Sequence, residues 1–405
     1  MSVAQAGAPP RPAEDLRPRA RRTLAVAGIA HALHDGYTDV IYVLLPVWQI
    51  DFGLGYGRLA TLRGLYAGAM ALLQVPAGRL AAAFGGRVVL AAGTAVAALG
   101  YGLAGASGGL LGLSAALALA GAGGSTQHPI GSSSVSRAYG LAARGPLGLY
   151  NFSGDVGKAA VPAAISVVLV ATSWRHAVWL LAGVGLVVAA AIATLMPVLP
   201  PEELEPVAAT GVTAQGKGAG GFRLLLAIGM LDTAARMGLL TFLPFLLREK
   251  GASLSTVGLG LALVFMGGAA GKAACGWLGA RLGLLRTVLL TEGGTAALIL
   301  AVLALPLLPA LVLLPVLGTM LNGTSSVLYG TVPELRAGTR AESAFALFYT
   351  GVIGSGAIAP VGFGVLGDAA GPAWATMATA ATALATLPLA VLLAPRLAAA
   401  RPGPA

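Results

Sequence analysis

The chain has 405 residues, of which 57% are hydrophobic and only 10% charged, with 59 glycines and a formal net charge of +10. A soluble surface needs charge to stay solvated, so this composition excludes an ordinary soluble globular protein, and a single cysteine, Cys275, excludes an internal disulfide. A mean hydropathy of +0.84 points to lipid as the main solvent, with glycine letting membrane helices approach closely, so the excess of base must first be tested against topology.

A bilayer core of about 30 Å needs roughly 20 apolar residues per helix. Twelve spans are predicted, at 23–50, 58–83, 88–106, 109–137, 146–171, 176–197, 222–247, 254–281, 286–306, 308–334, 341–367 and 372–395. The Pro-rich stretch from Leu303 to Pro315 makes the ninth turn the hardest to place. With the first span starting in the cytoplasm, the cytoplasmic segments collect most of the 25 bases: Arg11, Arg17, Arg19, Arg21 and Arg22 in the tail, then pairs such as Arg79 and Arg87 or Arg137 and Arg144, down to Arg396 and Arg401. That is the positive-inside pattern, so the +10 reads as orientation rather than as a nucleic-acid footprint.

In chain order, residues 1–22 form a cytoplasmic tail ahead of the first span, whose apolar run is too long for a cleavable signal. Span one carries His31, Asp35 and Asp39 at i, i+4 and i+8, with His34 and Thr38 one step round, so an apolar helix bears one polar stripe that should face the interior. Asp35 is a candidate for proton coupling or substrate contact, and His31 and His34 either share that role or hydrogen-bond neighbouring helices. Asp39 is expected to pair structurally with Arg63 on span two. Span four holds His128 before the kinking Pro129, and span five holds Asn151, Asp155, Lys158 and Pro162 on one face.

Residues 198–221 are polar and rich in Pro and Gly, and read as a cytoplasmic linker between bundles at 23–197 and 222–395, with a cytoplasmic tail at 396–405. In the second bundle, Asp232 and Arg236 form an i, i+4 pair on span seven that either contacts substrate or merely stiffens the bundle. Lys272 lies in span eight, and Glu292 near the inner end of span nine should reach the interface. Asn322, Thr324, Ser325 and Tyr329 offer hydrogen-bonding groups on span ten. Charges cost roughly 2.5–3.5 kcal/mol each at a membrane helix centre, so these acids and bases are functional candidates that should pair internally.

Sliding the chain by 198 residues superposes Leu45-Pro46 on Leu243-Pro244, Gly53 on Gly251, Gly78 on Gly276, Gly85 on Gly283 and Pro162 on Pro360 without a gap. One constant offset through five spans implies a parallel duplication, the kind of repeat that builds transporters with a site between the halves.

The turn after span two, with Gly78, Ala82, Gly85 and Arg87, resembles the loop signature of the major facilitator superfamily, although both copies carry Ala (Ala82, Ala280) where the family usually has Asp. His31-Ala-Leu-His-Asp35, Leu72-Leu-Gln-Val-Pro-Ala-Gly78 and Gly123-Gly-Ser-Thr-Gln-His128-Pro129 are similar to its fosmidomycin-resistance branch, with Ile130 where that branch has Glu. The resemblance implies an all-α membrane protein of the major facilitator fold: twelve transmembrane helices in two pseudo-symmetric six-helix bundles. Spans one, four, seven and ten would line the cavity, and spans five and eight would meet across the halves. Asp155 and Lys272 would then form an interface gate when the cytoplasmic side closes, leaving Lys158 to the cavity. The rival is a pair of Asp155 and Lys158 within their own helix.

Gly267 to Lys272 lacks the spacing and terminal hydroxyl of a phosphate loop, and Gly64/Gly68 and Gly267/Gly271 read as helix-packing spacings. No metal-ligand spacing, catalytic triad or cofactor motif is present, so neither enzyme, metal nor cofactor is expected. The expected function is alternating-access secondary transport, proton-coupled efflux of a small polar or anionic organic compound by an antiporter of the bacterial inner membrane. A proton-symport importer of an organic acid is the first alternative, and a non-transporting sensor or lipid-handling scaffold the second. The short tails and linker speak against an output domain. Expected partners are substrate, protons and the bilayer, without nucleic acid, for a monomer with both termini cytoplasmic.

Overall fold

The computed structural model describes residues 13–198, 219–335 and 341–400. Among them the chain is helical without a strand: α1 (Ala13–Phe52), α2 (Tyr56–Phe84), α3 (Gly86–Ala106), α4 (Leu110–Gly124), α5 (Gln127–Tyr139), α6 (Arg144–Ala171), α7 (Trp174–Leu195), α8 (Ala219–Glu249), α9 (Leu254–Ala304), α10 (Leu307–Leu335), α11 (Ala341–Ala370) and α12 (Pro372–Ala400). The expected linker lies outside the described residues at 199–218, as do Arg11, Lys217, Arg336, Arg340 and Arg401.

These helices deliver the expected spans by a different partition. The fourth span is broken into α4 and α5 at Ser125 and Thr126, whose hydroxyls bond to Ala122 and Gly123 carbonyls one turn back. The eighth and ninth are joined in α9 across Gly283, whose φ of 74° and ψ of 172° interrupt the helix. Ten stretches are long and apolar enough to cross a membrane. The first and fourth spans are not among them, because α1 carries the polar stripe and the fourth is cut into pieces of 15 and 13 residues.

Several boundaries move. Helix α1 starts at Ala13, so Arg17, Arg19, Arg21 and Arg22 of the expected tail are helical. The turn expected to begin at Gly78 is helical through Phe84, since its Ala-rich sequence propagates the helix, and the chain reverses only at Gly85, with φ 86°. The uncertain ninth turn is Leu305-Pro306, between α9 and α10.

Left-handed backbone conformations expose the duplication. Gly53 and Gly251 have φ of 59° and 87°, and Gly85 and Gly283 have 86° and 74°, two pairs at the offset found in the sequence. A side chain would strain all four, so each turn requires its glycine.

Packing is asymmetric along the helices. At the end bearing the α1–α2 turn, here the far end, one apolar core contains Trp48, Leu54, Leu59 and Trp174 together with Leu246, Leu247 and Ala252. At the opposite end, where Gly220 of α8 lies beside Arg396 of α12, the core divides into one cluster around Val26, Leu90, Ile130 and Ile192 and another around Phe222, Val288, Leu335 and Phe348. The halves are thus sealed together at the far end and separate at the terminal end. Between α2 and α11 the approach is close enough that a Cβ on Gly64 would lie 2.8 Å from the Ala357 carbonyl oxygen.

Candidate functional site

The polar stripe of α1 meets its partners on α5 and α6. Asp35 is buried, and three basic groups converge on it: Lys158 Nζ at 3.4 Å and His31 Nε2 at 3.5 Å from Oδ2, and His128 Nε2 at 3.8 Å from Oδ1. The break between α4 and α5 presents His128 here, and Gly154 on α6 has no Cβ to push against Asp35 and His31. His128 and Lys158 keep 44% and 30% of their side chains exposed, so the buried carboxylate is reached through two accessible bases.

His31 carries a directional constraint. Its Nδ1 lies 2.8 Å from the Tyr150 carbonyl oxygen and its ring stacks on the Tyr150 ring at 4.2 Å. A carbonyl only accepts, so Nδ1 is the donor and the Nε2 facing Asp35 holds a lone pair unless a second proton binds. The His31 to Asp35 contact is therefore a place where a proton can be gained or lost. His34 points away: Nε2 is 3.1 Å from Thr94 Oγ1 on α3, and its Nδ1 is buried without a hydrogen-bond partner.

His31, Asp35 and His128 put ligand atoms within 4.8 Å of one another, a spacing that could hold a metal ion. Lys158 already supplies a full positive charge to Asp35 at 3.4 Å and would oppose a second cation there, so the donor set does not fit a metal while that pair is formed.

Two expected pairings are replaced. Lys158 is neutralised by Asp35 instead of facing the cavity alone, and no contact within 4 Å joins it to Asp155 among the described residues. Asp155 accepts from Lys272 of α9 at 2.5 Å, across the halves, the pair that the resemblance implied, but it does so while the terminal ends keep separate cores, so the contact does not require those ends to close. Asn151 is exposed and joins no hydrogen bond among the described residues. No ion pair joins Asp39 to Arg63. The Arg63 guanidinium lies 5.3 Å from the Tyr42 ring centroid and donates to Met237 Sδ at 3.8 Å, held by an aromatic face and a thioether, and buried Asp39 has no ion pair within 4 Å among the described residues.

In the other half Asp232 and Arg236 do not form an ion pair within 4 Å. Arg236 Nη1 donates to Asn322 Oδ1 at 3.4 Å and Nη2 to Thr233 Oγ1 at 3.3 Å, while its Nε has no partner. Tyr329 stacks on Tyr349 at 4.9 Å beside Phe348. Glu292 does not reach the interface: it is buried, as is Asp232, and Thr324 donates to Glu292 Oε1 at 2.5 Å.

The sequence reading missed Asp368. At the far end its carboxylate accepts from the backbone N–H of Tyr56 at 2.6 Å and of Gly57 at 3.0 Å, so a residue of α11 caps α2 across the halves. An acid in the last turn of a helix reads as solvated, and the only signal would have been that α2 opens with Gly55-Tyr56-Gly57 and no capping side chain of its own. Of the loop-signature residues, Gly85 makes the turn, Gly78 lies within α2 and Arg87 within α3.

Residues 27–227 match the model of the Major Facilitator Superfamily. The whole chain is similar in structure to a bacterial homologue of the human lysosomal transporter Spinster. Against its inward-facing, occupied form the TM-score is 0.78 at 16% identity, covering 96% of this chain and 99% of that one. Against the inward-facing, unoccupied form the values are 0.78 and 16%, covering 96% and 100%. No curated protein matches the chain in sequence. The fold is thus the major facilitator fold.

Proposed function

We propose, taking the major facilitator fold as premise, that this protein is a secondary active transporter working by alternating access, and that it couples efflux of a small polar or anionic organic compound to proton entry. The observation that carries the coupling is Asp35, a buried carboxylate facing one ammonium and two imidazoles from three helices, with His31 oriented to take up a proton. A proton bound there and a substrate bearing a hydrogen-bond donor compete for the one carboxylate, so either can be held but not both. Proton and substrate thus bear on the same group, which coupling requires.

The preference for an anion rests on arginine. Neither Arg63 nor Arg236 has a carboxylate within ion-pair distance among the described residues, although both lie inside the bundle. A planar guanidinium that lacks a carboxylate is suited to a carboxylate or phosphonate ligand. The resemblance to the fosmidomycin-resistance branch supports export over import.

In this reading the bundles at 23–197 and 222–395 rock about the substrate site, the bases at the terminal end mark the cytoplasmic side of a bacterial inner membrane, and the sealed far end makes this an inward-open state. The test is flux in proteoliposomes under an imposed pH gradient, across a panel of anionic metabolites and phosphonates. Gradient-driven export of one member, with Asp35→Asn retaining counterflow exchange but losing the gradient response, is the expected result. Symport with the gradient would make it an importer, and binding without flux would make it a sensor.

A further inference from the structure

The first bundle carries a basic feature that the proposed mechanism does not use. At the terminal end, a cavity of about 410 Å³ opens between the start of α1, the start of α3 and the chain leaving α7. Arg19, Arg22 and Arg87 line it without an acid, and Leu195, Met196 and Val198 supply apolar wall. A smaller cavity adjoins it, sharing Arg87 and Val198 and reaching Phe84 and Val88.

The depth of this cavity follows from its helices. Of the stretches apolar enough to cross a membrane, one begins at Gly86, next to Arg87, and another ends at Leu195. The cavity therefore lies where two spans meet the interface, at the level of lipid headgroups.

Two observations set these arginines apart from solvated bases. None of the three has a carboxylate within 4 Å among the described residues, and Arg87 stands in the first turn of α3, where the helix dipole disfavours a base and no acid offsets it. Beside them Phe84, Val88 and Val198 are more than half exposed. Like charges gathered in one cavity call for an anion, and the exposed apolar side chains call for hydrocarbon. A free phosphate would satisfy only the first.

We propose that this cavity binds one anionic phospholipid of the leaflet at the terminal end, its phosphate held by Arg19, Arg22 and Arg87 and its acyl chains lying along Phe84, Val88 and Leu195. A guanidinium suits phosphate because its planar fork can give two parallel hydrogen bonds. A lipid held there ties the first turns of α1 and α3 to the end of α7, within the first bundle alone. The proposal rests on the membrane fold and is independent of the Asp35 mechanism.

Native mass spectrometry of the full-length protein, released from detergent after titration with phosphatidylglycerol or phosphatidylcholine, counts bound lipid and needs no transport. The expected result is one phosphatidylglycerol held at least tenfold more tightly than phosphatidylcholine. Arg19→Gln, Arg22→Gln and Arg87→Gln should each weaken it about fivefold, the effect of one base near a lipid surface, and the triple variant should bind the two lipids alike. The single variants carry the test if the triple variant does not fold. Arg223→Gln/Arg286→Gln, which removes exposed bases from the same end of the second half, should leave the preference unchanged. Equal binding of both lipids by the wild type, or as large a loss in this control as in the triple variant, overturns the proposal in favour of diffuse attraction. Displacement of the lipid by inorganic phosphate, but not by chloride at equal ionic strength, overturns it in favour of a free-anion site. Retention of lipid only after Glu202, Glu203 and Glu205 are changed to Gln would overturn it by assigning the cavity to acids of the chain's own linker.

Discussion

The two halves share glycine turns at one constant offset, yet they treat charge inside the bundle in opposite ways. In the first, Asp35 is surrounded by bases on its own and neighbouring helices and stays in reach of solvent through His128 and Lys158. In the second, Asp232 and Glu292 are buried without an ion pair among the described residues, and Arg236 bonds to Asn322 and Thr233 instead. The shared scaffold is visible in the paired left-handed glycines, while the ionisable groups at matching depth differ in sign and number. A duplicated fold thus fixes where polar groups can sit without fixing how they are compensated.

The largest effect should come from removing the compensation in the first half. Lys158→Ala leaves Asp35 buried with only two imidazoles, and breaking a buried pair from one side costs about 3–5 kcal/mol; Lys158 keeps part of its surface, so the low end, about 3 kcal/mol, is expected. Thermal unfolding in detergent measures this, and Asp35→Asn combined with Lys158→Ala should recover more than half of the loss, because no uncompensated charge remains. Additive losses would show that the two residues act independently and would break the comparison at its first term.

Much of this was legible in the residues and some was not. Hydropathy located the helices, and the offset of the repeat located both glycine turns, since these depend on composition and on backbone conformations only glycine tolerates. The stripe on α1 was legible because helical spacing aligns its members. What spacing on one helix cannot show is the rotation of its neighbours. Lys158, three residues from Asp155, turns to Asp35 on α1, while Asp155 meets Lys272 on α9, a pair that the family resemblance and not the spacing pointed to. The same blindness hid Glu292, which near a helix end looks interfacial until α8 and α10 cover it, and Asp368, whose partners are backbone groups that carry no sequence signature.

At the far end the halves are joined by Asp368, and its loss should bias the whole molecule. Asp368→Ala leaves the first N–H groups of α2 uncapped, a change of about 1 kcal/mol, which is roughly a fivefold shift in a two-state population towards opening at that end. Labelling rates of a single cysteine placed at Tyr56, in a background with Cys275→Ser, should rise by that factor. An unchanged rate would mean that the apolar core around Trp48 and Leu246 alone holds the closure.

A smaller effect is expected in the second half. In Glu292→Gln the amide oxygen still accepts from Thr324, and no ion pair is lost, because Glu292 has none within 4 Å among the described residues. Unfolding should shift by less than about 1 kcal/mol. A loss as large as that of Lys158→Ala would mean that Glu292 is ionised and paired, and the contrast between the halves would collapse.

The least costly term is the contact that joins them at mid-depth. Asp155 and Lys272 bond at 2.5 Å, but 41% of the Lys272 side chain is exposed, and partly solvated pairs contribute about 0.2–1 kcal/mol. Neutralising either residue should therefore leave unfolding almost unchanged. Its consequence lies in the conformational balance, because the bond spans α6 and α9 in the state whose terminal ends are apart. Asp155→Asn or Lys272→Gln should slow return to this state and reduce exchange flux about two- to fivefold, as expected when a contact of that size is lost from one side of a two-state cycle. Exchanging the charges, Asp155→Lys with Lys272→Asp, should restore most of the flux, since the pair is solvated enough to tolerate inversion. The buried Asp35 and Lys158 should not tolerate the same exchange, because His31 and His128 would then face a lysine.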